Sequence, residues 1–282
     1  METRNVLLAI VLSTIVLIFW ATFFEAPVVE QQAQKEQTLS NQESSSPSIS
    51  DDEKEIKNQI SKKDIINNTK RIKIENENIK GSISLEGGII DDIIFKNYNE
   101  TLDGQDKVVF LNPKNSLEEY FIETGWASGG NEKVNLPLID TLWKVKGNNT
   151  LTPNTPVLLE WDNGDGLIFT KKIELDEKFL FKITQNIKNN SDKSFQFYPY
   201  AQITRGSKPE GMQIYILHEG FLGVFGDELK EEDYEDVEKE KFTTSSSKGW
   251  LGITDKYWLT AIVPEKGKDF KAEFVAKNGK YR

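Results

Sequence analysis

Three observations predict an all-β fold for the bulk of this 282-residue chain. Apolar and polar residues alternate with period two from Ile72 onward, Gly and Asn/Asp punctuate the alternation, and no useful helical periodicity follows the first 25 residues. So many short strands in about 210 residues predict a large antiparallel sandwich with one solvated face on each sheet. A transmembrane helix and a polar tether are expected to precede it.

Ile72 and Ile74 alternate with charged residues, and Ile79, Ile83 and Leu85 keep a similar rhythm. Gly87-Gly88 makes a turn, after which Ile89-Ile90 and Ile93-Ile94-Phe95 resume the pattern. The clearest hairpin runs Val157-Leu158-Leu159-Glu160-Trp161, turns at Asp162-Asn163-Gly164-Asp165-Gly166 and returns through Leu167-Ile168-Phe169-Thr170. Asn-Gly and Asp-Gly supply the positive φ values that such a loop requires. Further strands are expected at residues 179–188, 195–204, 222–225, 258–263 and 271–276.

Ahead of the strands, the stretch that opens at Val6 and closes at Phe24 reads VLLAIVLSTIVLIFWATFF and carries no charge. As a helix it would span roughly 28 Å, close to the hydrocarbon thickness of a bilayer. It exceeds the apolar stretch of a secretory signal peptide, and Phe23-Phe24-Glu25-Ala26-Pro27 offers no paired small residues for cleavage. Residues 1–25 are therefore expected to be an uncleaved anchor in contact with the lipid bilayer. Arg4 on one flank, against Lys35 as the next base on the other, favours a cytoplasmic N-terminus. Residues 26–69 are rich in Gln, Glu, Ser, Asn and Lys and hold no aromatic residue, so they are expected to form a disordered linker; residues 70–282 form the β domain.

Composition excludes several functions. A formal charge of −10 with scattered bases argues against a nucleic-acid partner. With no cysteine, disulfides, thiolate nucleophiles and cysteine-ligated metals are excluded. Asp162-Asn163-Gly164-Asp165-Gly166 superficially resembles a calcium loop, but its third position is Gly164, so it reads as a turn. His218 is the single histidine, and it reads as a hydrogen-bonded structural residue, since Glu219 would point to the opposite face of a strand. The acidic run at residues 227–241 reads as a solvated loop or exposed strand edge. Ser245-Ser246-Ser247 lacks the glycines of a nucleophile elbow. The aromatics of Tyr198-Pro199-Tyr200 and of residues 249–258 read as core or strand-edge packing. No catalytic, cofactor-binding or metal-binding residue is assigned.

Several motifs in order resemble the N-terminal half of the bacterial YidC family of membrane protein insertases, in a style similar to its alphaproteobacterial members. They are Thr3-Arg4-Asn5 leading to Phe19-Trp20, Leu85-Glu86-Gly87-Gly88-Ile89-Ile90, Leu151-Thr152-Pro153, and Trp161-Asp162-Asn163-Gly164 with Gly166-Leu167 and Phe169-Thr170. Tyr198-Pro199-Tyr200, Tyr215-Ile216-Leu217-His218-Glu219-Gly220 and the segment from Gly249 to Trp258 complete the series. The resemblance implies a periplasmic supersandwich of the galactose-mutarotase type, anchored in the inner membrane with its N-terminus in the cytoplasm. It implies a non-enzymatic role in inserting, folding and assembling newly made inner-membrane proteins, alone or with the Sec translocon, with nascent membrane proteins and Sec components as partners. The five-helix insertase bundle of the family has no counterpart after Phe24, so the sequence is expected to be a partial or truncated version, cut within its β domain. The alternatives are a membrane-tethered carbohydrate-active or carbohydrate-binding β-sandwich protein, or a stand-alone adaptor. A carbohydrate-active enzyme of this class would need paired histidines where this chain has only His218.

Overall fold

The computed structural model describes residues 61–130, 133–209 and 218–282. The expected anchor and most of the polar linker lie outside the described residues, as does the apolar run before His218. Among the described residues no helix is long and apolar enough to cross a membrane.

Within the span expected as linker, helix α1 occupies Lys62–Asn68. Ser61 caps it by accepting from the Asp64 amide at 3.2 Å, and the Asp64 carboxylate sits favourably in the first turn. Its Lys62 Nζ lies 2.8 Å from Asp92 Oδ1 and donates to the Leu111 carbonyl at 3.1 Å, which seats the helix on the β domain. The polar composition hid this helix because it buries no residue fully, and its seat is a distant ion pair.

The strands then follow in chain order. β1 (Arg71–Glu75), β2 (Ile79–Ser84), β3 (Ile89–Asn99), β4 (Lys107–Leu111) and β5 (Tyr120–Gly129) come first. β6 (Lys144–Lys146), β7 (Thr150–Leu151), β8 (Val157–Asp162), β9 (Leu167–Leu175), β10 (Phe181–Asn189) and β11 (Gln196–Arg205) follow. Next are β12 (Gly220–Phe225), β13 (Glu228–Asp233), helix α2 (Tyr234–Lys239), β14 (Phe242–Ser246) and β15 (Gly249–Thr254). β16 (Leu259–Ile262), β17 (Phe270–Phe274), β18 (Ala276–Lys277) and β19 (Lys280–Tyr281) close the series.

Nine strands form the largest sheet, in the order β18-β19-β11-β5-β3-β2-β1-β7 with β4 joined to β3. A four-stranded sheet, β10-β9-β8-β6, packs against it: Trp126 on β5 meets Phe169 on β9 with ring centroids 5.1 Å apart, and stacks on Trp143 at 6.3 Å. The alternation of β9 makes this possible, since Leu167, Phe169, Ile173 and Leu175 all fall on its buried face. Each fully buried side chain of this kind contributes about 1.5–3 kcal/mol. A second four-stranded sheet, β13-β12-β15-β16, packs with the β14-β17 pair around Phe221, Phe225 and Phe274. The Tyr120 hydroxyl joins this part to the large sheet through Thr260 Oγ1 at 2.7 Å.

The all-β sandwich is as expected, with one parallel exception: β1 pairs β7 in parallel through Lys73 with Thr150 and Ile74 with Leu151. The predicted hairpin is formed by β8 and β9, with Gly164 at φ 78° and Gly166 at φ 89°. The Asn163 side-chain oxygen accepts from the Asp165 and Leu167 amides at 2.8 and 3.0 Å, which closes the loop. Strand β5, which runs through the middle of the large sheet, has no counterpart among the predicted strands. Its residues YFIETGWASG break alternation with two glycines, each spared a side chain because a tyrosine from β11 lies over it.

Candidate functional site

The most chemically distinctive place in the described residues lies between the large sheet and β9. Lys171 falls on the inner face of β9 between Phe169 and Ile173 and is only 1% exposed. Its Nζ donates to the Thr124 carbonyl on β5 at 2.6 Å and to the Gly87 carbonyl in the β2–β3 turn at 3.0 Å. The Trp143 ring lies beneath it, with the centroid 4.7 Å from Nζ. One side chain of the smaller sheet is thus tied to two backbone positions on the larger one.

The turn that offers the Gly87 carbonyl depends on glycine. Gly87 and Gly88 have φ values of 75° and 61°, and a Cβ on Gly87 would lie 2.5 Å from the Ile139 carbonyl oxygen. Around Lys171, the Gly87, Glu123, Thr124 and Tyr200 side of the large sheet and residues 137–139 line a cleft about the size of one water molecule. Glu123 Oε2 is buried there with no hydrogen-bond partner among the described residues. Burial raises the Glu123 carboxyl above its usual range, with Lys171 acting the other way. Burial pushes the Lys171 ammonium down to about 7, opposed by the charge of Glu123. Burial, then the neighbouring Glu123, pushes the Tyr200 hydroxyl up.

Lys171 and Glu123 were missed by sequence reasoning, yet a local signal existed for the first. In LIFTKKIEL, period two places Lys171 on the same face as Phe169 and Ile173, but the expected strand stopped at Thr170. For Glu123 the local sequence carries no comparable signal, because its neighbours come from other strands.

The residues weighed from sequence fall elsewhere. His218 lies just before β12; its Nε2 is 2.9 Å from the Phe221 carbonyl oxygen and its Nδ1 is 3.3 Å from Asp233 Oδ1. The acidic run forms the edge strand β13 and then α2, which buries Tyr234 and Val237. The helix was not anticipated, because only two of its six residues face the core. Ser245 and Ser246 belong to β14, where the Ser246 hydroxyl donates to the Lys248 carbonyl at 2.7 Å. Of the aromatics, Trp258 packs against Phe95 at 4.6 Å and Tyr98 at 4.9 Å, Tyr200 borders the cleft, and Tyr257 is exposed. Among the described residues no cluster of His, Asp and Glu could hold a metal ion.

Comparison with known proteins agrees with this fold. Over 279 residues the chain is 44% identical to the membrane protein insertase YidC of Pelagibacter ubique, covering 99% of this chain and 50% of that relative. It is 34% identical over 295 aligned positions to the YidC insertase of Bradyrhizobium diazoefficiens, covering 97% of this chain and 48% of the relative. It is 36% identical to that of Methylorubrum extorquens, with 98% and 49% covered. The chain thus spans about half the length of the curated relatives it matches. Residues 71–282, which include every strand described above, match the YidC periplasmic domain, and the chain belongs to the YidC family.

Proposed function

We propose that this chain is the anchor and periplasmic portion of a membrane protein insertase, one that aids insertion, folding and assembly of newly made inner-membrane proteins. The observation that carries this reading is the 44% identity, over nearly the whole chain, to a relative named as such an insertase. Residues 6–24 hold the chain in the inner membrane with the N-terminus in the cytoplasm, and the β domain from residue 70 stands in the periplasm as a scaffold. Its partners are nascent inner-membrane proteins and components of the Sec translocon. The role is non-enzymatic and uses no cofactor.

The carbohydrate-active or carbohydrate-binding reading finds no support. Proton transfer at a sugar ring in that fold class needs a pair of histidines, and the one histidine is occupied by Phe221 and Asp233 outside the cleft.

Two measurements test the proposal in intact cells. A photo-crosslinking residue in place of the exposed Leu138 should give adducts with Sec subunits or nascent membrane proteins; adducts confined to cell-wall components would overturn it. Added protease should digest the β domain in spheroplasts and leave it intact in inverted membrane vesicles. The opposite pattern would overturn the orientation.

A further inference from the structure

The setting of Lys171 has a consequence that does not depend on insertase activity. A charged ammonium has three N–H donors, whereas a free amine has two. Among the described residues Nζ donates to the carbonyls of Gly87 and Thr124 and lies over the Trp143 ring, and no carboxylate lies within ion-pair distance. A side chain only 1% exposed, with no carboxylate in contact, is placed for the uncharged amine, whose two N–H groups those carbonyls take up. We propose that Lys171 is a proton-sensitive clasp between the two sheets, closed as the free amine and loosened when a proton from solvent converts it to the ammonium.

Every element packed around Lys171 enters the balance. From β5 comes Glu123, whose charge favours the ammonium, and from β11 comes Tyr200, which acts on Glu123. Lys114 and Arg282 also act on Glu123. The face of Trp143 also favours the charged form. The cross-strand neighbours on β8 and β10 are Leu159 and Gln185, and neither titrates. Gln185 is itself committed, donating to the Gly125 carbonyl at 2.7 Å. Against the attractions stands the removal of an ammonium from water, which is the larger effect for a side chain this deeply buried.

The sign follows from linkage. Closed, Lys171 titrates near 7; opened to solvent, it returns toward 10.5. Opening therefore takes up a proton between those limits, and is favoured as pH falls from about 10 to 7, levelling off below. Glu123 contributes with the opposite sign, since burial raises its carboxyl and its charge is tolerated best when the site is open. Its effect sets in near the ordinary carboxylate range. What opens is the cleft: the ammonium turns toward Glu123 and solvent, and the Gly87 and Thr124 carbonyls are released beside residues 137–139.

The test is amide hydrogen exchange on the full chain in lipid nanodiscs, corrected for the intrinsic dependence of exchange on pH. At residues 86–89 and 124–126, protection should fall by up to about tenfold per pH unit between pH 9 and 7. Lys171→Met, which keeps the stem and removes the amine, should show no such slope at these residues. Equal slopes in the two proteins would overturn the proposal. Should Lys171→Met fail to fold, an NMR titration of the wild-type lysine side chain decides instead. A midpoint near 7 supports the clasp, and one above about 9 overturns it. Glu123→Gln should move that midpoint lower, because its charge is what holds the proton on.

Discussion

Tyr200 on β11 lies directly across from Gly125 on β5, and its ring occupies the space a side chain on Gly125 would need. A Cβ there would sit 2.7 Å from the tyrosine ring and hydroxyl. Tyr198, directly across from Ala127, leans diagonally over Gly129, with a ring atom 2.6 Å from a notional Cβ. The pairing keeps Tyr200 beside Glu123 at the cleft and explains two glycines within a central strand, where each otherwise weakens the sheet.

Gly125→Ala should therefore displace Tyr200 and destabilise the domain by about 1–3 kcal/mol through overpacking. Urea denaturation of the single variants and of Gly125→Ala with Tyr200→Ala measures it. The double variant should be less destabilised than the sum of the two, since removing the ring removes the clash.

Phe169→Ala should cost about 3–5 kcal/mol, as the ring is wholly buried against Trp126 and Trp161 where the two sheets meet. The denaturation midpoint should fall with little change in its slope, the sign of lost stability rather than altered compactness.

Asn163→Ala should open the β8–β9 loop, leaving the Asp165 and Leu167 amides without their shared acceptor. A loss of about 1–3 kcal/mol is expected, and amide exchange should rise first at Leu167, whose amide is buried.

Lys62→Ala should release α1 while leaving the sandwich folded. Limited proteolysis should cut within residues 61–69 faster than in the wild type, with a change of about 1 kcal/mol or less in global stability, because the pair is partly solvated. Undiminished protection of residues 61–69 would show that the Asp92 and Leu111 contacts do not seat the helix.

Global stability should also carry the mark of Lys171. Its folded-state value lies below its ordinary one, so the unfolded chain binds more protons between about pH 7 and 10.5. In that window wild-type stability should rise with pH, relative to Lys171→Met, by up to about 1.4 kcal/mol per pH unit. Below pH 7 the two curves should run parallel. Chemical denaturation at several pH values makes the comparison.

What the sequence by itself determined follows from local chemistry. Period-two alternation marked β1, β2, β3 and β8, and the Asn-Gly and Asp-Gly steps placed the turn before β9, because each depends on neighbours a few residues away. Motifs in series identified the family for the same reason, being short runs in a set order. Strand β5 escaped, since its glycines make sense only under tyrosines more than 65 residues further on. The cleft escaped likewise: Lys171 reaches Thr124 across 47 residues of chain and Gly87 across 84. Tertiary structure alone decided that an inward lysine would meet two carbonyls in a cleft shared with Glu123, because sheet packing brings together groups whose encounter no local pattern encodes.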